Sequence, residues 1–168
     1  MQRLHSLLRT RRYEELRDEL VRAELAEELS EFHALNFHAI LAMVEGSGFA
    51  SDYLEMAEAV ATSPHERAVL AETLAAYDLL RGNPSAAAER CLAALDHVCQ
   101  TEGLWNNLLL ALYRLGDVEA LDATLRSFAR LDDECTARLV KWLSTNPDLR
   151  EIHTRPAFIE LLNRHAAM

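Results

Sequence analysis

Single glycines interrupt this chain at a near-regular interval, and that recurrence limits the possible fold more than any other feature. Gly82 in LLRGNPSAAAE and Gly116 in YRLGDVEALD stand 34 residues apart. Leu74 and Leu108 keep the same distance, as do Asn83 and Asp117. Counting back another 34 residues from Gly82 reaches Gly48, in MVEGSGFASDYLEMAEA. The earliest break, Arg11-Arg12 in SLLRTRRYEEL, lies 37 residues before Gly48 and lacks a glycine.

Between these breaks the apolar residues recur at three and four, the period of a helix with one buried stripe. Leu104, Trp105, Leu108, Leu109, Leu112 and Leu115 form such a stripe over 102–115, and Val118, Leu121, Leu125, Phe128 and Leu131 form one over 117–131. The 64–81 segment opens with Ser63, Pro64 and Glu66, a helix-start pattern, and carries Leu70, Leu74, Tyr77 and Leu80. Helix 84–100 presents Ala87, Cys91, Ala94, Leu95 and Val98. Four helix–turn–helix pairs follow: 2–24, 27–62, 65–100 and 102–131. A fixed period of this length signals stacked repeats, because one helix pair cannot bury both of its apolar faces alone.

The chain has 168 residues, half of them apolar, with only five Gly and four Pro. That suits one helical, core-forming domain. The net charge of −10 disfavours a phosphate-backbone binder, so no nucleic-acid partner is expected. Charge is unevenly spread. Residues 24–62 hold eight acids, among them Glu24, Glu45, Asp52, Glu55 and Glu58, and no Lys or Arg. Such a block is either a solvated helix surface or a docking face for a basic segment. No stretch is long and apolar enough to span a membrane, and the N-terminal residues lack a leader pattern. The three cysteines, Cys91, Cys99 and Cys135, have no paired-ligand spacing. A cytoplasmic chain with reduced thiols is the expectation.

A 34-residue helical pair with this interior resembles the tetratricopeptide repeat. Trp105, Leu108, Gly116, Asp117, Val118 and Ala120 carry the match in the fourth pair, and Leu74, Ala75, Gly82, Ala87 and Ala94 in the third. Tyr13, Glu14 and Glu15 match a turn of that kind in the first. Leu109 departs from the pattern, standing where the family prefers Gly or Ala. The tail NPDLREIHTRPAFIELL looks like the module that closes many bacterial arrays of this family, through Asn146, Pro147, Asp148, Leu149, Ile152, Pro156, Phe158 and Leu161. Arg155 replaces the usual acid there, and His153 is unusual. The resemblance implies an all-α fold: a right-handed α-α superhelix of about four pairs over 1–131, closed by a helical cap over 132–168. The cap would comprise a helix at 134–144, a loop through 154 and a helix at 156–166.

In this family the first helix of each pair lines a concave groove that holds a peptide or helix. The register places His38 and Glu45 near such a groove in pair two, Glu72 in pair three, and Asn106, Asn107 and Arg114 in pair four. Asn107 matches an Asn that bonds a ligand backbone in peptide-binding members, whereas the Lys/Arg clamp for a C-terminal carboxylate is absent. The resemblance implies a protein or peptide partner, basic if it meets the second pair.

Catalytic chemistry finds little footing. His33 and His38 diverge by roughly 140° around a helix, and no HExxH, CxxC or Gly-rich phosphate loop occurs. Acids beside Cys135 would raise its thiol pKa. No catalytic residue, cofactor or metal is expected. The expected function is therefore a non-enzymatic adaptor or scaffold. A small acidic chaperone of bacterial secretion is the alternative, and a regulatory partner of an enzyme comes after it. The short first helix (2–9) leaves a homodimer open.

Overall fold

In the computed structural model, residues 1–97, 102–128, 133–145 and 147–166 are described, and every regular element among them is helical. In order these are α1 (Gln2–Arg9), α2 (Tyr13–Leu25), α3 (Glu31–Val44), α4 (Ala50–Val60), α5 (Pro64–Leu80), α6 (Pro84–His97), α7 (Glu102–Leu115), α8 (Val118–Phe128), α9 (Asp133–Thr145), a 3-10 segment (Pro147–Thr154) and α10 (Pro156–Ala166). The expected continuation of helix 84–100 beyond His97, together with Val98, Cys99, Leu131, Asp132 and Asn146, lies outside the described residues. So do the side chains around Cys135. The chain divides into two compact units, Met1–Leu74 and Ala75–Met168, with the boundary inside α5.

The recurring break is one device used repeatedly. Arg11, Gly46, Gly82 and Gly116 all take left-handed backbone, with φ of 55°, 66°, 75° and 69°. At each, two backbone bonds close the helix end. Gly116 N–H donates to the Tyr113 carbonyl (3.1 Å) and Asp117 N–H to that of Leu112 (3.2 Å). The same pair of bonds recurs from Gly82 and Asn83, from Gly46 and Ser47, and from Arg11 and Arg12. This is the Schellman closure, which satisfies orphan carbonyls and reverses the chain. A fifth copy, at Glu27 (φ 55°), ends α2 between pairs. Arg11 and Glu27 adopt without glycine a conformation that costs an L-residue roughly 1–2 kcal/mol.

Three local expectations are revised. The second pair turns at Gly46, not Gly48, because α3 already ends at Val44 and the left-handed position falls two residues on. That pair's first helix begins at Glu31 instead of 27: Glu27 is still closing α2, and the Ser30 hydroxyl caps α3 by accepting from His33 N–H (3.4 Å). The loop expected through residue 154 is largely the 3-10 segment. Leu149 and Ile152 are three residues apart in it, and both are wholly buried. The backbone kinks at Leu149 (φ −115°, ψ 19°), so the segment is two short turns and not one continuous helix.

Helix starts follow the sequence closely elsewhere. The Ser63 hydroxyl accepts from Glu66 N–H (3.1 Å), while the Glu66 carboxylate accepts from the N–H groups of Ser63 (2.8 Å) and Thr62 (3.0 Å). This reciprocal capping box opens α5. Those backbone donors hold the Glu66 carboxyl down at about 2. Asp117 caps α8 by accepting from Ala120 N–H (3.0 Å).

In the first unit, Leu4 and Leu7 of α1 join Leu16, Leu20 and Ala23 of α2 and Phe37 and Leu41 of α3 in one core. Each leucine so buried is worth about 1.5–3 kcal/mol, which is what holds an eight-residue helix in place. Glu19 of α2 is buried with them and bonded to Arg22 (2.8 Å), which also reaches Glu28 (3.1 Å); Arg3 of α1 approaches it to 3.4 Å. The Arg22 hydrogen bond lowers the Glu19 pKa against the opposing effect of burial.

In the second unit α6 packs on α7, and Ala87, Ala88 and Cys91 of α6 are buried. Leu104, Leu108, Leu109 and Leu112 of α7 and Leu121 and Leu125 of α8 continue the core. Leu109, the departure from the family pattern, is wholly buried. Trp105, expected in the core, is only partly buried. α10 packs on α8 and α9, supplying Phe158 and Leu161.

Candidate functional site

The six candidate groove residues fall in different units: His38, Glu45 and Glu72 in the first, Asn106, Asn107 and Arg114 in the second. Several are engaged in holding helices together. His38 of α3 meets Glu24 of α2 through Nε2 and Oε1 (2.9 Å), and its ring stacks on Tyr53 of α4 at 5.2 Å between centroids. Glu45, the C-terminal cap of α3, accepts from Arg17 of α2, which also holds Glu14 (3.1 Å). Arg114 of α7 donates to the Leu79 carbonyl at the end of α5 (2.9 Å). That carbonyl also takes the Gly82 N–H. Each of these three side chains ties the first helix of its pair to the pair before it.

The left-handed turn residues also correct the register between pairs. Asn36, Glu72 and Asn106 each stand ten residues before the turn residue of their pair, at Gly46, Gly82 and Gly116. Asn36, not His38, is thus the second-pair counterpart of Glu72 and Asn106. Counting from Gly48 shifts that register by two residues. A helix end recognised at Val44-Glu45 would have placed it correctly.

At two of these three residues, Asn36 and Asn106, a side-chain acceptor lacks a donor. The Oδ1 atoms of Asn36 and Asn106 are buried and accept no hydrogen bond. Asn36 is 6% exposed. Most buried polar atoms in folded proteins are paired, and leaving one unpaired costs about 1–3 kcal/mol. Glu72 and Asn107 are partly buried.

The C-terminal segment helps to build a concavity. Leu112, Gly116 and Asp117 at the end of α7, Val118 of α8, and Glu151 and Arg155 after α9 line a cavity of ≈ 130 Å³. Its rim is fixed by Arg155, whose Nε donates to Asp122 Oδ1 at 2.6 Å. That bond lowers the Asp122 pKa, with burial opposing it. His153 stacks on Phe158 (5.3 Å) and donates from Nε2 to the Leu143 carbonyl (2.9 Å). The two unusual residues of the tail are therefore the ones that fasten it, Arg155 to α8 and His153 to α9. Both departures are visible in the sequence, but their partners, 10 and 33 residues away, are not.

A third feature escaped the sequence reading. At the N-cap of α4 and on the helix itself, the large apolar side chains Phe49 and Met56 are 65% and 52% exposed, with the exposed carboxylates Asp52 and Glu55 on the adjoining arc. Among the described residues no three His, Cys, Asp or Glu side chains converge as metal ligands would. No helix among them is long and apolar enough to cross a membrane. Compared with protein-family models, with curated proteins and with solved structures, the chain gives no significant match.

Proposed function

We propose that this chain is a non-catalytic, tetratricopeptide-like protein-binding scaffold in the cytoplasm, which holds an extended segment of a partner protein along the first helices of its pairs. The recurrence of one turn device at Arg11, Gly46, Gly82 and Gly116 supports the repeat reading, because it starts each second helix from the same geometry. Arrays of this sort expose long binding surfaces made from equivalent positions. The observation that carries the functional reading is Asn106. Its Oδ1 is an unpaired acceptor on a partly exposed side chain, and rotation of the amide would offer it to a backbone N–H, of which an extended peptide has one per residue. Asn107, on the same helix, is the residue that the family resemblance associates with a ligand backbone.

Titration calorimetry against short end-blocked peptides of basic, neutral and acidic composition tests this. Micromolar binding is expected, with basic peptides preferred and affinity falling about tenfold in Asn106→Leu. Equal binding by Asn106→Leu, in a variant that melts like the parent, would overturn it, as would the absence of binding to every peptide class.

A further inference from the structure

Helix α4 carries more apolar surface than its own chain covers. Its inward face is Ala50, Leu54 and Ala57, all buried to within 2%. At about 100° per residue, Tyr53 and Val60 come next around the helix, then Phe49 and Met56. The first two are partly buried and the second two exposed. An apolar stripe therefore runs out of the core into solvent. Stacking of Tyr53 on His38 fixes its inner border. Beyond it, on the next arc, lie Asp52 and then Glu55. Among the described residues these make no ion pair, and residues 24–62 contain no Lys or Arg to neutralise them.

From this juxtaposition we propose that the outward face of α4 is a docking strip for a basic amphipathic helix of a partner protein. Apolar side chains of that helix would cover Phe49 and Met56, and its Lys and Arg would meet Asp52 and Glu55. Charge selects the occupant. A second copy docked by two-fold symmetry would set the same carboxylates against each other. Nucleic acid and anionic lipid carry the wrong sign. A cationic amphipathic helix is complementary in both respects, and laying such a helix on an apolar face is an established mode of recognition. The strip lies on the second helix of its pair, so it stands independently of the binding proposed for Asn106.

The test is fluorescence anisotropy with a labelled, end-blocked lysine–leucine peptide of helical periodicity, alongside a scrambled peptide of identical composition. Three variants of the full chain are compared: Asp52→Asn with Glu55→Gln; Met56→Ser; and a charge-matched control, Glu119→Gln with Glu151→Gln. All substituted side chains are exposed. The periodic peptide should bind at least about tenfold more tightly than the scramble, and each α4 variant should lose about tenfold while the control stays within about twofold. Equal losses in the control and the α4 double variant would overturn the proposal by reducing the effect to net charge. Parental binding by Met56→Ser would also overturn it, as would equal binding of the scramble. Loss in Asn106→Leu with no loss in the α4 variants would place the peptide at the other position and sink this proposal alone.

Discussion

Arg155 donates from Nε to Asp122 Oδ1 at 2.6 Å across 33 residues of chain, fastening the segment between α9 and α10 to α8. Both side chains are about four-fifths buried, with exposures of 22% and 20%. Charge-assisted bonds of this kind are worth about 1.5–3 kcal/mol. Arg155→Ala should therefore destabilise the protein by about 1–3 kcal/mol, with some loss of the compactness of α10. Urea unfolding followed by circular dichroism measures the first, and binding of a hydrophobic dye the second. Asp122→Asn should cost less, because a neutral amide still accepts from the guanidinium.

The two glycines of EGSGF can be told apart by substitution. Gly46 takes φ +66° and Gly48 does not take left-handed backbone, and a Cβ at either would meet nothing within 4 Å. Only backbone strain then separates them. Gly46→Ala should lose about 1 kcal/mol, whereas Gly48→Ala should be neutral or gain up to about 1 kcal/mol through the unfolded chain. Thermal melting of the pair decides the matter, and the opposite ranking would return the turn to Gly48.

Acid should unfold the protein in stages. His5 and His33 are held below the ordinary 6.5, chiefly by burial, so their neutral forms suit the fold. Their contribution is complete above that value and declines as pH falls below it. Glu66, at about 2, and Glu19, Glu28 and Asp122, all lowered, contribute fully above the ordinary carboxylate range and lose that contribution as they protonate. Melting temperature should therefore dip slightly below pH 6.5 and fall steeply between pH 4.5 and about 2. In Glu66→Gln the second fall should be shallower. A melting temperature unchanged between neutral pH and pH 3 would contradict the capping and pairing described.

Asn36 offers a stability test of the buried acceptors. Replacing an unpaired buried amide by an apolar group removes its desolvation penalty, so Asn36→Leu should stabilise by about 1 kcal/mol, reduced by any crowding. Differential scanning calorimetry reads this directly. Destabilisation beyond about 2 kcal/mol would mean that the Asn36 amide is doing structural work of its own.

Helix spans and their caps were legible because they are written within a few residues of each other. Ser63-Pro64-His65-Glu66 specifies its own capping box, and Asp117 caps the helix it precedes. The helical class was legible in the three- and four-residue recurrence of apolar side chains and in the scarcity of Gly and Pro. What stayed hidden needed partners far along the chain. Whether Glu45 faces ligand or Arg17, or Arg114 faces ligand or the Leu79 carbonyl, depends on how neighbouring helices lie. The choice between Gly46 and Gly48 turned on where α3 ends, and helix ends are fixed by bonds that the letters do not record. On α4, the heptad spacing of Phe49 and Met56 was visible, but their exposure was not.

The placement of the two cores has a consequence for the order of synthesis. The core built from Leu4 to Leu41 draws on no residue beyond α3, so it can assemble while later helices are still being made. The second unit differs, because its interior includes Leu149, Ile152, Phe158 and Leu161. On a ribosome adding about 5–20 residues each second, α7 and α8 would wait several seconds with apolar surface uncovered before Arg155 reached Asp122. Nascent-chain aggregation and chaperone capture should therefore concentrate in that interval, and shortening it by slowing nothing after α8 is the practical lever for expression.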